Sequence, residues 1–120
     1  MVSDKTYLEW YFQADYDLEK VNTVIHYLEV CLNQDGIQDA SIALFGSALT
    51  NSMGPDSDLD LIIISSAFEG KSIADRGRLT MSSELKTLRK FMIPMDVLNL
   101  TPQEYQAMVT RNMFPSKILG

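Results

Sequence analysis

The sequence predicts an α/β domain in which a small mixed sheet is flanked by helices. Three observations carry this. Leu18, Val21, Ile25, Leu28 and Leu32 recur at three- and four-residue spacing, the signature of an amphipathic helix. Two short apolar runs follow, over 39–45 and 59–65, separated by a loop rich in turn residues. A third apolar run, 95–100, comes only after another helical stretch, so helices and strands alternate along the chain. The 120 residues suit one hydrophobic core, and 1–120 reads as a single domain.

Each element has its own local reason. Residues 3–13 open with Ser3 and Asp4 as N-cap candidates and carry Tyr7, Leu8, Trp10, Tyr11 and Phe12, which reads as a short helix or an aromatic-rich arm. That arm is a packing element or a partner surface. The next helix ends at Asn33-Gln-Asp-Gly36, where Gly36 can take a left-handed cap. The loop 48–57 contains Asn51, Gly54 and Pro55. The strand after it is almost wholly apolar, as a central strand covered on both faces would be. Ser72 is placed to cap a helix running to Arg89, with Ile73, Leu79, Leu85 and Leu88 expected inward. Pro94 bounds the last strand candidate. Thr101-Pro102-Gln103-Glu104 then forms a capping box with proline at the first helical position, and the tail to Gly120 reads as the start of one more turn.

Composition narrows the function classes. The net charge is −6 and no Lys/Arg cluster is present, which argues against nucleic-acid binding through a broad basic face. A small anion bridged by a metal stays compatible with that charge. No apolar run approaches the roughly 20 residues of a membrane span, and the N-terminus lacks a basic region followed by an apolar stretch, so a cytoplasmic protein is expected. The single cysteine, Cys31, lies in the helical pattern and reads as a small buried hydrophobe. His26, in the same helix, reads as a structural histidine, and the seven methionines as core or interface filler.

The residues that carry chemistry lie around the first loop. One strand ends in Gly46-Ser47, and the next begins with Asp58-Leu-Asp60. A glycine at a strand end lets the backbone approach a ligand, and Ser47 adds a hydroxyl and an N–H for a phosphate oxygen. Alone, that step also reads as an ordinary strand-to-turn junction. Asp58 and Asp60, two apart on a strand, project from one face and repel unless a cation or a proton neutralises them. They also read as acids decorating a strand end. Asp96 is one acid within an apolar strand and needs a partner there, or an exposed strand end.

Taken together, Gly-Ser, a ten-residue loop, Asp-x-Asp in an apolar strand and an Asp on a later strand resemble the polymerase-β-like nucleotidyltransferase superfamily, and at this size its minimal (MNT-type) domains. The resemblance spans 42–104. It implies a polymerase-β palm-like fold and Mg²⁺-dependent transfer of a nucleoside monophosphate, most simply AMP from ATP, to a hydroxyl. It implies that Gly46 and Ser47 hold the β- and γ-phosphates, and that Asp58 and Asp60 bind two Mg²⁺ ions. Asp96 becomes the third carboxylate, a metal ligand that assists deprotonation of the acceptor. Such domains pair with helical HEPN-type proteins, with the MNT chain as antitoxin of a toxin–antitoxin module. Small-molecule transfer of the aminoglycoside type, homo-oligomers and a catalytically weak partner-binding module are the alternatives. Unlike many members, this loop has no basic residue; Lys71, Arg76 and Arg78 at the start of the next helix read either as triphosphate contacts or as a solvated helix face.

Overall fold

The computed structural model describes residues 18–45, 59–111 and 116–118. The aromatic arm, Gly46, Ser47, the loop and Asp58 lie outside them. The elements run α1 (Leu18–Gln34), β1 (Ser41–Phe45), β2 (Leu59–Ile64), a 3-10 turn (Ser66–Phe68), α2 (Ile73–Phe91), β3 (Met95–Leu100), α3 (Pro102–Thr110) and β4 (Ser116–Ile118). The sheet order is β3-β2-β1-β4. β1 pairs antiparallel with both β2 and β4, and β2 pairs parallel with β3, so the sheet is mixed as the sequence predicts. The parallel pair requires a crossover, which α2 supplies.

The tail corrects the sequence reading. Residues 116–118 add no helical turn; they form β4, with Ala43, Leu44 and Phe45 opposite Ile118, Lys117 and Ser116. The ladder partner of this three-residue strand lies some seventy residues earlier, and no local periodicity encodes such a contact.

β2 is the spine of the molecule. Leu59, Leu61, Ile62 and Ile63 are at most 1% exposed. Alternation divides its side chains between two clusters. Leu59, Leu61 and Ile63 join Ile42, Leu44 and the inward residues of α1 (Val21, Val24, Ile25, Leu28, Leu32) in the larger core. Ile62 and Ile64 face the other way, with Ala43 and Met108, and Phe45, Leu100 and Tyr105 pack at the margin. Among the described residues, one sheet face is thus covered by two long helices, the other by the short α3.

The caps fall where the sequence puts them. Gly36 takes φ +99° after α1. The Ser72 hydroxyl accepts from Asp75 N at the start of α2. At α3, Thr101 and Glu104 exchange reciprocal hydrogen bonds, with Pro102 in the first turn. Cys31 is buried, and His26 sits exposed on α1 rather than in the packed core.

Helix α2 overturns one expectation. Its buried residues are Arg76, Thr80, Ser83 and Thr87, whereas Ile73, Leu79, Leu85 and Leu88 are 86, 37, 41 and 36% exposed. The inward stripe keeps helical spacing (76, 80, 83, 87) but is polar, because its neighbours offer it partners. Ser83 Oγ donates to Asp35 Oδ2 at 2.6 Å, and Asn99 Nδ2 donates to Thr80 Oγ1 at 3.3 Å. Buried polar groups are tolerated where hydrogen bonds meet them.

The helix ends on a strained residue. Met92 caps α2 in the left-handed region (φ 57°, ψ 34°) and is 77% exposed. A side chain costs roughly 1 kcal/mol there relative to glycine. Met92→Gly is therefore expected to stabilise the protein by about 0.5–1 kcal/mol, read as a rise in the urea midpoint at unchanged slope.

Acid sensitivity is built in beside β2. Asp39 accepts from Ser65 Oγ (2.5 Å), from Ser66 N (3.0 Å) and from the Ser66 hydroxyl. The Ser65 hydroxyl, then Ser66, pulls its carboxyl down to about 2. A depressed carboxylate adds stability that is complete above its ordinary value of 3.8 and is lost as pH falls through the folded value. The thermal midpoints of wild type and Asp39→Ala should thus differ at pH 7 and converge between pH 4 and pH 2; a gap that stays constant to pH 2 would refute this assignment.

Candidate active site on the open sheet face

Asp60 and Asp96 are brought together by the β2–β3 ladder. The parallel register pairs Leu59 with Met95, Asp60 with Asp96, Leu61 with Val97 and Ile62 with Leu98. Register partners point to the same face of a sheet, and strands lie roughly 5 Å apart. The odd-numbered residues go to the large core, as Leu59, Leu61, Met95 and Val97 do. Both acids therefore project from the opposite face, the one shared with Ile62 and Ile64.

Among the described residues, that face is only partly covered. Helix α3 reaches it through Met108 and Tyr105, against Ala43, Ile62, Ile64 and Leu100. The ends of β2 and β3 that carry the acids lie beyond it. Asp96 is exposed, Asp60 is half-buried, and Leu98 on the same face is 37% exposed. The lone acid read within an apolar strand is thus at an accessible strand end, and it has a carboxylate neighbour in register.

Two carboxylates across adjacent strands repel by roughly 1–3 kcal/mol at about 5 Å, depending on how much water screens them. Like charges directly opposite on a sheet are unfavourable, and a divalent cation reverses the sign of that interaction. The donor set is hard, all carboxylate oxygen, which suits Mg²⁺ or Mn²⁺ and not a thiolate- or imidazole-seeking metal. Among the described residues, these two acids form a pair and no group of three or more metal-binding side chains occurs. Asp58, the third acid of the sequence motif, lies outside those residues, as do Gly46 and Ser47.

The cations offered for a triphosphate are mostly engaged elsewhere. Arg76 is 9% exposed. Its Nε donates to Lys71 O (3.0 Å), and one Nη donates to Asn99 O (3.0 Å). The guanidinium grips both carboxylate oxygens of Glu104, at 2.6 and 3.2 Å. Arg76 is therefore a clamp joining α2, the end of β3 and the first turn of α3. The Arg76 hydrogen bond, with the Thr101 N–H, holds the Glu104 carboxyl below the usual range. Arg78 pairs with Asp75 on the helix surface. Lys71 is exposed at the mouth of a groove of about 530 Å³ between α2 and β3, which Ile73, Gly77, Met81 and Leu98 also line.

The clamp and a second polar chain in this groove were not singled out by sequence reasoning. Asn99 donates to Thr80, whose hydroxyl meets Glu84 Oε2 at 2.5 Å. Burial pushes the Glu84 carboxyl up, and the Thr80 hydrogen bond opposes it. The signal was present in the spacing of Arg76, Thr80, Ser83 and Thr87, a polar stripe at helical period.

Comparison with known proteins bears on the family and the fold. The family model for the nucleotidyltransferase domain matches residues 25–117. A crystal structure of a provisionally assigned nucleotidyltransferase superposes with a TM-score of 0.52 at 26% identity, covering 80% of this chain and 97% of that one. Another provisionally assigned nucleotidyltransferase, from Sulfolobus solfataricus, gives 0.48 at 15% identity over 72% of this chain and 78% of its own. No curated protein gives a significant sequence match. Among the described residues, no helix is long and apolar enough to cross a membrane.

Proposed function

Because the chain belongs to the nucleotidyltransferase domain family, we propose that it transfers a nucleoside monophosphate, AMP from ATP in the first instance, to a hydroxyl of a partner protein. The observation that carries this reading is the register pairing of Asp60 with Asp96 on an accessible sheet face. Asp60 and Asp96, with Asp58, would hold Mg²⁺. When bound, the metal supplies Lewis acidity at the α-phosphate and lowers the pKa of the attacking hydroxyl. Gly46 and Ser47 are the phosphate-binding step, with backbone N–H groups and the Ser47 hydroxyl as donors. The acceptor oxygen attacks the α-phosphorus in line, and the bond to the β-phosphate oxygen breaks. Pyrophosphate leaves, and Asp96 takes the acceptor proton.

The acceptor we favour is a helical HEPN-type protein, with this chain acting as the antitoxin in a cytoplasmic pair. One observation supports a second reading, a catalytically weak partner-binding module. Arg76 is committed to Glu104 and Arg78 is paired with Asp75, which leaves Lys71 as the exposed candidate for the triphosphate.

The readings separate in one experiment. The protein is incubated with α-labelled ATP, Mg²⁺ and a candidate partner. Label on the partner that disappears with Asp60→Asn supports transfer. No label, with a tight complex that survives Asp60→Asn and Asp96→Asn, supports the binding module and overturns the enzyme reading.

A further inference from the structure

We propose that the outer face of α2 is the docking surface for an amphipathic helix of another protein, one that carries carboxylates along one flank of an apolar stripe. The inference needs no nucleotide and stands apart from the transferase reading.

Helix α2 is inverted: its polar stripe is buried and its apolar stripe faces solvent. Met81, Leu85, Leu88 and Met92 are 56, 41, 36 and 77% exposed, and they fall at i, i+4, i+7 and i+11. Gly77 continues the line by one turn, and a Cβ added to it would meet nothing within 4 Å. From 77 to 92 the stripe runs about 22 Å at 1.5 Å per residue, the length of a four-turn helix. A ridge of this period is what the groove of a second helix accepts. An apolar line of this length on a small domain marks an interaction site rather than scattered surface residues.

Charge selects the occupant. The chain as a whole has 10 Lys and Arg against 16 Asp and Glu. Helix α2 departs from that balance: it carries Arg76, Arg78, Lys86, Arg89 and Lys90 against Asp75 and Glu84. Arg76 is turned inward to Glu104 and Lys90 lies over the Tyr27 ring of α1, so the cations on the outer flank are Arg78, Lys86 and Arg89. Arg78, Lys86 and Arg89 line one shallow groove with Met81 and Leu85. Arg78 meets Asp75 in an exposed pair, which is worth little and exchanges readily, while Lys86 reaches Asp35, whose side chain is 24% exposed. A second copy related by a two-fold axis would offer the same patch to itself and bring this basic flank against its own cations. A helix with glutamates beside its apolar stripe matches both features at once, as flanking charges do when they set partner choice between helices.

The test uses the full-length protein and two synthetic four-turn peptides. Both carry one leucine stripe; one has glutamates along a single flank, the other lysines at the same positions. Binding is followed by fluorescence anisotropy, and the protein's mass in solution by light scattering. The acidic peptide should bind at least about tenfold more tightly than the basic one, with a preference that shrinks in high salt. Met81→Glu and Leu85→Glu should each weaken it by about tenfold or more with the circular dichroism spectrum retained. Arg89→Glu should narrow or reverse the preference between peptides, which a variant that merely perturbed the fold would not do. Equal binding of both peptides, no binding of either, or a dimer that Met81→Glu dissociates would each overturn the proposal.

Discussion

Asp60→Asn is expected to lower nucleotide transfer by at least about a hundredfold, the scale set by losing a group that acts on charge or protons in the transition state. Asp96→Asn should do the same. The fold should persist in both, and Asp96→Asn should keep a thermal midpoint equal to or above that of wild type in metal-free buffer. The sign follows from the register. The two acids face each other across β2 and β3, and asparagine keeps the shape while removing like-charge repulsion. Asp96 is exposed and Asp60 half-buried, so neither substitution opens a cavity. Measuring transfer and melting on the same samples separates a chemical role from a structural one. Midpoints several degrees below wild type for both variants, without metal, would mean that the acids serve the fold.

Arg76→Met carries the largest expected loss of stability, about 2–3 kcal/mol. The guanidinium closes three connections: to Lys71 O before α2, to Asn99 O near the end of β3, and to the Glu104 carboxylate in α3. Methionine keeps much of the apolar stem but leaves those acceptors without their donor. The carboxylate side is discounted, because the Glu104 side chain is 45% exposed and water can replace part of the pair. The pH dependence gives an independent check. Arg76 lowers the Glu104 carboxyl, so the contribution is complete above the ordinary value of 4.5 and is lost as pH falls through the lower folded value. Urea midpoints of wild type and Arg76→Met should therefore be well separated at neutral pH and draw together in acid.

Much of the architecture is legible in local sequence because local physics sets it. The caps at Gly36, Ser72 and Thr101 need only neighbouring residues. The apolar run of β2 announces a strand covered on both faces, and it is one. The juxtaposition of the two candidate acids follows from the same signals: Asp60 and Asp96 each lie near the start of a strand, and α2 between them forces the parallel pairing that sets them side by side. What local sequence does not contain is the partner across the fold. β4 exists because β1 has a free edge. The inward face of α2 is polar because Asp35, Asn99 and Glu104 wait for Ser83, Thr80 and Arg76. Hydrophobicity alone points Leu85 and Leu88 inward, and the hydrogen-bond partners turn them out. The same displacement takes Arg76 from phosphate contact to clamp.

The proposed transfer reaction requires the Asp60–Asp96 pair to be a divalent-cation site. Titration of Mn²⁺ into the protein with ATP, followed by electron paramagnetic resonance of the free ion, tests it without an identified acceptor. Saturable binding is expected in wild type, weakened by about tenfold or more in both Asp60→Asn and Asp96→Asn, as loss of a carboxylate ligand requires. Equal Mn²⁺ affinity in wild type and both variants, with ATP bound in each, would contradict it.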